Sequence, residues 1–508
     1  MSTREDEEIT NRHTKEIAAG KLGESYPAGF DKQFSCAELL ALAEKKKPPE
    51  LTNDIKISGK LLQTAGRIMT LRPHGQLVFA NLNDASGKIQ IALTENSSSK
   101  QSWELAQLLD MGDIVGVAGI LVKTKRGEIT LLCQDVVLLS KALRPLPEKY
   151  HGLKDVETRL RQRYLDLMMN PEVRDLFYKK SLFWQATRNF MTQKGFMEVD
   201  TPALEAVAGG ADANPFKTHH DALDQDFYLR ISLELPLKRL LVGGFEKVFE
   251  IGKVFRNEGI DTEHLQDYDM CEFYWAYADY NKLMDFTQEM YQTLVKDVTH
   301  APESLRDTVR GTAGGLKTTY QGQIIDWSGK WPREDYFALI KKHSGVDLSG
   351  ITNVKELRKI LEKHKVRYEE NMGAGRLIDL FWKKLVRPKV VGPLFVINHP
   401  IEVSPLAKKH AKLPGRVQRM QIIVAGSELG NGFSELNDPV DQKQRFEGQM
   451  KLREAGDSEA MMLDEDYIRA LEYGMPPAAG FGFSERLFAF IMDKPVRETV
   501  LFPPMRSK

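Results

Sequence analysis

The sequence predicts an α+β protein: a small β-barrel near the N-terminus, followed by a larger region that mixes helices with strands. Three observations carry that expectation. Between Ile55 and Leu143, short β-branched runs and turn residues fall in the order three strands, a helix, two strands. From about Asp155 onward, charged helical segments alternate with strand segments and no fixed-period repeat is present. The chain has 508 residues, enough for roughly two to four domains with separate cores.

The elements follow in order. Residues 1–54 are mixed in charge, compatible with helix, and contain Lys45-Lys-Lys-Pro-Pro, whose paired prolines mark a boundary. Residues 55–143 form the expected barrel. Gly66-Arg-Ile-Met-Thr and Leu77-Val-Phe-Ala-Asn-Leu flank a turn at Pro73-His-Gly, and Ser86-Gly87 opens Lys88-Ile-Gln-Ile-Ala-Leu. A short helix is expected over Trp103-Glu-Leu-Ala-Gln-Leu-Leu, then two strands joined at Arg126-Gly127. This is the element order of an OB-fold, whose sheet face binds single-stranded nucleic acid. Residues 144–154 read as a Pro-bearing linker, and 155–508 as the larger domain, opening with a charged helix from about Asp155 to Leu167. Within it, a strongly helical stretch over about 300–390 carries the weakest chemical signals and reads as an insertion.

Composition narrows the function classes. Lys+Arg 71 against Asp+Glu 71 argues against a polybasic nucleic-acid coat, while leaving room for a local basic patch. The cysteines Cys36, Cys133 and Cys271 lie far apart without C-x-x-C spacing, which argues against a disulfide framework or structural zinc and fits a reducing cytosol. No apolar run approaches the roughly 20 residues of a membrane span. The acidic start, Met1-Ser-Thr-Arg-Glu-Asp-Glu-Glu, is unlike a signal peptide. The expectation is a soluble cytoplasmic protein without a membrane partner.

The chemistry concentrates in Lys247-Val-Phe-Glu-Ile-Gly-Lys-Val-Phe-Arg-Asn-Glu258 and Met270-Cys-Glu-Phe-Tyr-Trp-Ala-Tyr-Ala278, two strand-like runs separated by a polar loop. Period-2 alternation puts Glu272, Tyr274 and Ala276 on one face, and Phe273, Trp275 and Tyr277 on the other. The second set is expected in the core; the first sets a carboxylate beside a phenol on a face that need not be dry. Arg256 ends the first strand at the loop mouth, where a guanidinium can clamp a phosphate or carboxylate bidentately.

These runs carry a resemblance. Phe255-Arg-Asn-Glu-Gly with Met270-Cys-Glu-Phe-Tyr-Trp-Ala-Tyr-Ala-Asp resembles motif 2 of class II aminoacyl-tRNA synthetases, the lysyl branch in particular. Gly195-Phe-Met-Glu-Val-Asp-Thr-Pro202 resembles motif 1, and Pro476-Pro-Ala-Ala-Gly-Phe-Gly482 through Glu485-Arg486 resembles motif 3. Gly209-Gly210-Ala211, Tyr228-Leu-Arg-Ile-Ser-Leu-Glu234 and Gly430-Asn-Gly-Phe-Ser-Glu-Leu-Asn-Asp438 also fit the lysyl branch, in the family's order over nearly the whole chain.

The resemblance implies a catalytic domain built on an antiparallel sheet flanked by helices, a homodimer formed through motif 1, and a reaction with ATP, Mg²⁺, L-lysine and tRNA(Lys). It assigns Arg256 and Arg486 to catalysis. ATP falls to Arg256, Glu258, His264, Tyr268, Glu428 and Arg486, and lysine to Gly210, Glu234, Arg256, Glu272, Tyr274, Asn431 and Glu435. Glu428 and Gln421 are the implied metal ligands, and Arg72, Phe79, Gln90 and Asp135 the anticodon contacts. The physics agrees: joining a carboxylate to the α-phosphate brings two anions together, so cations must align them, and a substrate with two ammonium groups calls for carboxylates. Phe79 makes physical sense as a platform on which a base stacks.

The chain departs from the usual pattern at several positions. Tyr268 replaces Phe, Leu265 replaces Asn, Gln421 and Asp135 stand where Glu is usual, and motif 3 is one residue shorter at Ser484. The departures mark a divergent branch. Alternatives are a sister synthetase for aspartate or asparagine, a paralogue that lysylates a protein, or a catalytically silent nucleic-acid-binding protein.

Overall fold

The computed structural model describes residues 3–52, 55–147, 155–259, 265–299, 315–457 and 459–506. The chain divides into two compact units, Met1–Lys154 and Asp155–Lys508.

In the first unit five strands close a barrel in the order β1-β2-β3-β5-β4: β1 (Leu62–His74), β2 (Leu77–Asn83), β3 (Lys88–Thr94), β4 (Ile114–Lys123) and β5 (Ile129–Ser140). Helix Lys100–Ala106 separates β3 from β4, so the expected three-strand, helix, two-strand order is present. The first turn differs in place: β1 runs on through Pro73 and His74, and the chain reverses at Gly75, whose φ of +58° a side chain would disfavour. Along β2, Val78, Ala80 and Leu82 are buried while Leu77, Phe79 and Asn81 are less so, the pattern of a strand with one inward face. The residues before the barrel join its core: Ala19, Cys36, Leu39 and Ala43 pack with Ile68, Leu82 and Ile91. Helix Cys36–Lys46 is started by a reciprocal cap, in which Ser35 accepts from the Glu38 amide and Glu38 accepts from that of Ser35.

In the second unit the helix expected over Asp155 to Leu167 is two helices, Val156–Arg161 and Arg163–Met169, broken at Gln162. The strands are β6 (Met197–Glu198), β7 (Leu204–Glu205), β8 (Lys217–His220), β9 (Gln225–Leu229), β10 (Lys247–Phe255), β11 (Asp267–Ala276), β12 (Lys317–Tyr320), β13 (Gln323–Asp326), β14 (Arg333–Asp335), β15 (Leu394–Ile397), β16 (Arg419–Val424), β17 (Ser427–Ser434) and β18 (Ala478–Ser484). Eight of them form one sheet in the order β14-β15-β16-β17-β18-β11-β10-β6. It is antiparallel except where β14 meets β15 and β6 meets β10. The stretch expected to be helical over about 300–390 is mixed: residues 300–314 lie outside the described residues, then come the β12–β13 hairpin and edge strand β14. Among the described residues of this stretch, helices begin at Tyr336.

Alternation along the central strands separates two jobs. Cys271 and Phe273, Met420 and Ile422, and Ala479, Phe481 and Phe483 enter a core shared with helices Pro171–Gln193 and Tyr280–Thr299. Their neighbours Glu272 and Tyr274, Arg419 and Gln421, and Gly480, Gly482 and Ser484 line a cavity instead. Tyr277 departs from the expected core set. The strand ends at Ala276, Tyr277 turns to a positive φ of 61°, and its ring is 63% exposed.

Candidate active site

The cavity on the open face of the sheet has a volume of about 500 Å³, within the range of small-molecule sites. Among the residues expected in a site, Gly210, Glu234, Arg256, Glu258, Tyr268, Glu272, Tyr274, Gln421, Glu428, Asn431 and Arg486 all line it. Glu435 lies just beneath, 1% exposed, where a Cβ on Gly480 would strike it. His264 lies outside the described residues.

At one end carboxylates gather. Glu272 on β11 is buried; its Oε1 accepts from Ser232 Oγ at 2.7 Å and the Leu233 amide at 2.9 Å, and its Oε2 accepts from the Tyr274 hydroxyl at 2.8 Å. Burial pushes its pKa up, against these three donors. Glu234 opens helix Glu234–Val242 and Glu435 follows β17; both are pushed up by burial first, with Lys238 opposing and repulsion from Glu272 adding. Gly210 faces Glu234 with φ +84°, and a Cβ there would sit 3.0 Å from side-chain carbons of both Glu234 and Ser232. Only glycine leaves that wall open.

Towards the other end the charges are positive. Arg256 follows β10, its Nε donates to the Ile231 carbonyl at 3.3 Å, and its guanidinium carbon stands 5.6 Å from the centre of the Tyr268 ring. That ring and the cation make a flat, electron-rich and cationic surface suited to a base and a phosphate. Arg486 donates from Nη1 to the Glu428 carbonyl at 3.4 Å. Leu265 is 5% exposed and packs with Ala489 and Val496, anchoring the C-terminal side of the motif 2 loop beside Tyr268.

The sequence reading missed four cations here. Arg419 donates from Nε to Asn431 Oδ1 at 2.7 Å, so Asn431 is already oriented. Arg376 pairs with Asp212 at 3.3 Å. Arg387 stands 3.9 Å from Glu428 Oε2. Lys238, wholly buried, pairs with both Glu234 and Glu435. Lys238 had a signal, its place four residues after Glu234 on a helix; the others come from segments without motif character.

For a metal, the expected pair divides. Glu428 offers a carboxylate on the cavity wall, while the Gln421 amide oxygen lies 3.0 Å from His399 Nε2. Burial lowers the His399 pKa to about 3, so the ring is neutral and able to donate from this nitrogen. Among the described residues no group of three His, Cys, Asp or Glu side chains is placed to hold a metal ion by itself. Mg²⁺ is often held by one or two carboxylates plus substrate phosphates, and Glu428 fits that pattern.

In the barrel, Arg72 on β1 stands opposite Phe79 on β2 and donates to Gln90 Oε1 at 3.1 Å, so three of the expected anticodon residues are neighbours. Phe79 is half-buried, packed at one edge against Ala92, Val122 and Leu132. Asp135 lies farther along β5, opposite Ala118 of β4, and the register does not set it beside the other three.

Sequence comparison decides the family. The profile of class II tRNA synthetases (D, K and N) matches residues 155–506, and that of the OB-fold nucleic acid binding domain matches residues 62–139. The lysine–tRNA ligase of Moorella thermoacetica is 46% identical over 455 residues, 89% of this chain and 90% of the relative. The chain belongs to the lysine–tRNA ligase family. Other members of the family include the ligases of Carboxydothermus hydrogenoformans, 45% identical over 96% of both chains, and Pelotomaculum thermopropionicum, 46% identical over 90% of this chain and 88% of the relative. The family's two parts coincide with the barrel and with the sheet whose open face carries the cavity.

Proposed function

We propose that this chain activates L-lysine with ATP to lysyl-adenylate and transfers the lysyl group to the 3′ end of tRNA(Lys), with the cavity as its active site. The single observation that carries this reading is the polarity of the cavity. Three buried carboxylates and a phenol stand at one end, and Arg256 and Arg486 line the wall that an α-carboxylate and a triphosphate require. A dicationic amino acid is held by the acidic end, with its carboxylate towards Arg256. Arg256 and Arg486 then offset the charge that builds up as the carboxylate attacks the α-phosphate and pyrophosphate leaves. No protein nucleophile is required. Glu258 and Tyr268 are assigned to the nucleotide, Gly210 and Glu234 to the α-amine, Asn431 to the carboxylate, and Glu272, Tyr274 and Glu435 to the side-chain amine.

Glu428 would hold Mg²⁺ together with the ATP phosphates, and the ion would neutralise phosphate charge. The barrel, through Arg72, Phe79 and Gln90, is assigned to the anticodon, which favours a tRNA substrate over a protein one. A homodimer through motif 1 is supported by β6 at the edge of the sheet, where Met197 is 54% exposed. The cysteines Cys36, Cys133 and Cys271 are free, in keeping with the reducing cytosol.

The test is pyrophosphate–ATP exchange with each amino acid in turn. Exchange that depends on lysine is expected. Exchange with aspartate or asparagine and none with lysine would overturn the pocket assignment.

A further inference from the structure

Lys238 has no part in the assignments above, yet it is the cation buried among their carboxylates. We infer that Lys238 is a positioning residue that sets the specificity of the lysine site. It holds Glu234 and Glu435 in place and cancels one of three carboxylate charges, leaving two for a substrate with two ammonium groups. The inference rests on the cavity being the lysine site.

The geometry divides the acidic end into two parts. Glu272 is held by neutral donors alone: the Ser232 hydroxyl, the Leu233 amide and the Tyr274 hydroxyl. Glu234 and Glu435 come from different elements, and the Lys238 ammonium is ion-paired to both. The exposures are 6% for Glu234, 2% for Glu272, 1% for Glu435 and 0% for Lys238, so water screens little of this charge. The groups facing the ammonium are Glu234 from its own helix, Glu435 after β17, Tyr274 of β11, Phe433 of β17 and Tyr467 of helix Glu465–Glu472. The three ring centres lie 5.9, 5.3 and 5.9 Å away respectively. The rings surround an ammonium that is fully buried and does not line the cavity, so it braces the carboxylates without occupying the substrate's place.

Charge counting gives the consequence. Without Lys238, Glu234, Glu272 and Glu435 would repel one another in a dry setting. A buried cluster of like charges relieves itself by taking up a proton. Lysine would then have to displace that proton in order to bind. With Lys238 present, the acidic end falls two positive charges short of neutrality, and L-lysine supplies two ammonium groups.

The test uses the full-length protein with the variants Lys238→Met, Glu435→Gln and both together. Lysine and ATP KM values come from pyrophosphate exchange, and protons released per lysine bound come from calorimetry in two buffers of different ionisation enthalpy. Lys238→Met is expected to raise the lysine KM at least about 10-fold with the ATP KM within about 2-fold, and to release about one more proton per lysine than the unmodified protein. In the Glu435→Gln background, adding Lys238→Met is expected to raise the lysine KM by less than about 3-fold, because one carboxylate charge and the cation that cancels it are then both gone and Glu234 and Glu272 still leave two negative charges. Equal rises in both KM values, an unchanged proton count, or additive effects of the two changes would each overturn the inference.

If Lys238→Met alone does not fold, the double variant is compared with Glu435→Gln; replacing both partners of a buried ion pair is better tolerated than breaking it. A further loss there of more than about 10-fold overturns the inference as well. A protein that binds no lysine at all removes the lysine-site reading itself, a failure distinct from lysine binding with unaltered proton release.

Discussion

The role proposed for Arg256 rests on its charge on the cavity wall. Among the described residues its side chain makes one long hydrogen bond, to the Ile231 carbonyl, and lies over the Tyr268 ring, so its removal takes little packing away. Arg256→Ala should lower lysine-dependent pyrophosphate exchange by about 100–1000-fold, with a melting temperature close to that of the unmodified protein. Near-normal exchange in that variant would end its assignment to catalysis. Phe79 gives the complementary case in the barrel. Phe79→Ala should leave exchange intact while weakening tRNA by about 1–3 kcal/mol, read as a rise in the KM for tRNA in charging assays. If exchange falls and the tRNA KM does not, Phe79 serves the fold alone.

The strands decide which residues reach the cavity. On β18, Gly480 lies opposite Tyr274 on β11, and a Cβ there would strike both that ring and Glu435. Gly480→Ala should therefore raise the lysine KM at least about 10-fold and cost about 1–3 kcal/mol of stability by overpacking, the first measured by exchange and the second by urea unfolding. A lysine KM that does not move would show that the ring and carboxylate can shift without loss. At this scale much could be read from the sequence. Alternation in Glu272-Phe-Tyr placed one carboxylate and one phenol together because a strand's faces are fixed by backbone geometry alone. Glu428, Asn431 and Arg486 came from motifs, since their meeting depends on strand order in the sheet, which local patterns do not encode. Tyr277 was misplaced because alternation says nothing about where a strand ends. Arg376 and Arg387 were missed because they are brought in by two helical segments, Ala374–Phe381 and Arg387–Lys389, whose local sequences carry no motif.

Across the whole second unit, stability should depend on an acid outside the cavity. Glu205 on β7 carries a buried oxygen with no hydrogen-bond partner among the described residues, and burial raises its pKa from 4.5 to about 8. The folded protein keeps this proton where the unfolded chain has lost it. The stabilisation is full below pH 4.5 and disappears as the pH rises through about 8. Glu205→Gln should thus stabilise the protein by about 1–3 kcal/mol at pH 8 and by much less at pH 5, seen in denaturant unfolding at the two pH values. An equal change at both would mean that Glu205 is already ionised in the folded state.

The alternation of the central sheet also limits how such a protein can vary over generations. Because Phe273 and Glu272, or Phe481 and Gly480, differ by one step along the same strand, inserting or deleting one residue would send aromatic rings into the cavity and carboxylates into the apolar interior. Lineages can retune the substrate by exchanging one side chain for another, while the steps from Glu272 to Tyr274 and from Gly480 to Gly482 are expected to hold, with the shortening of motif 3 confined to the end of β18. Length differences between descendants are expected in the segments that join the strands.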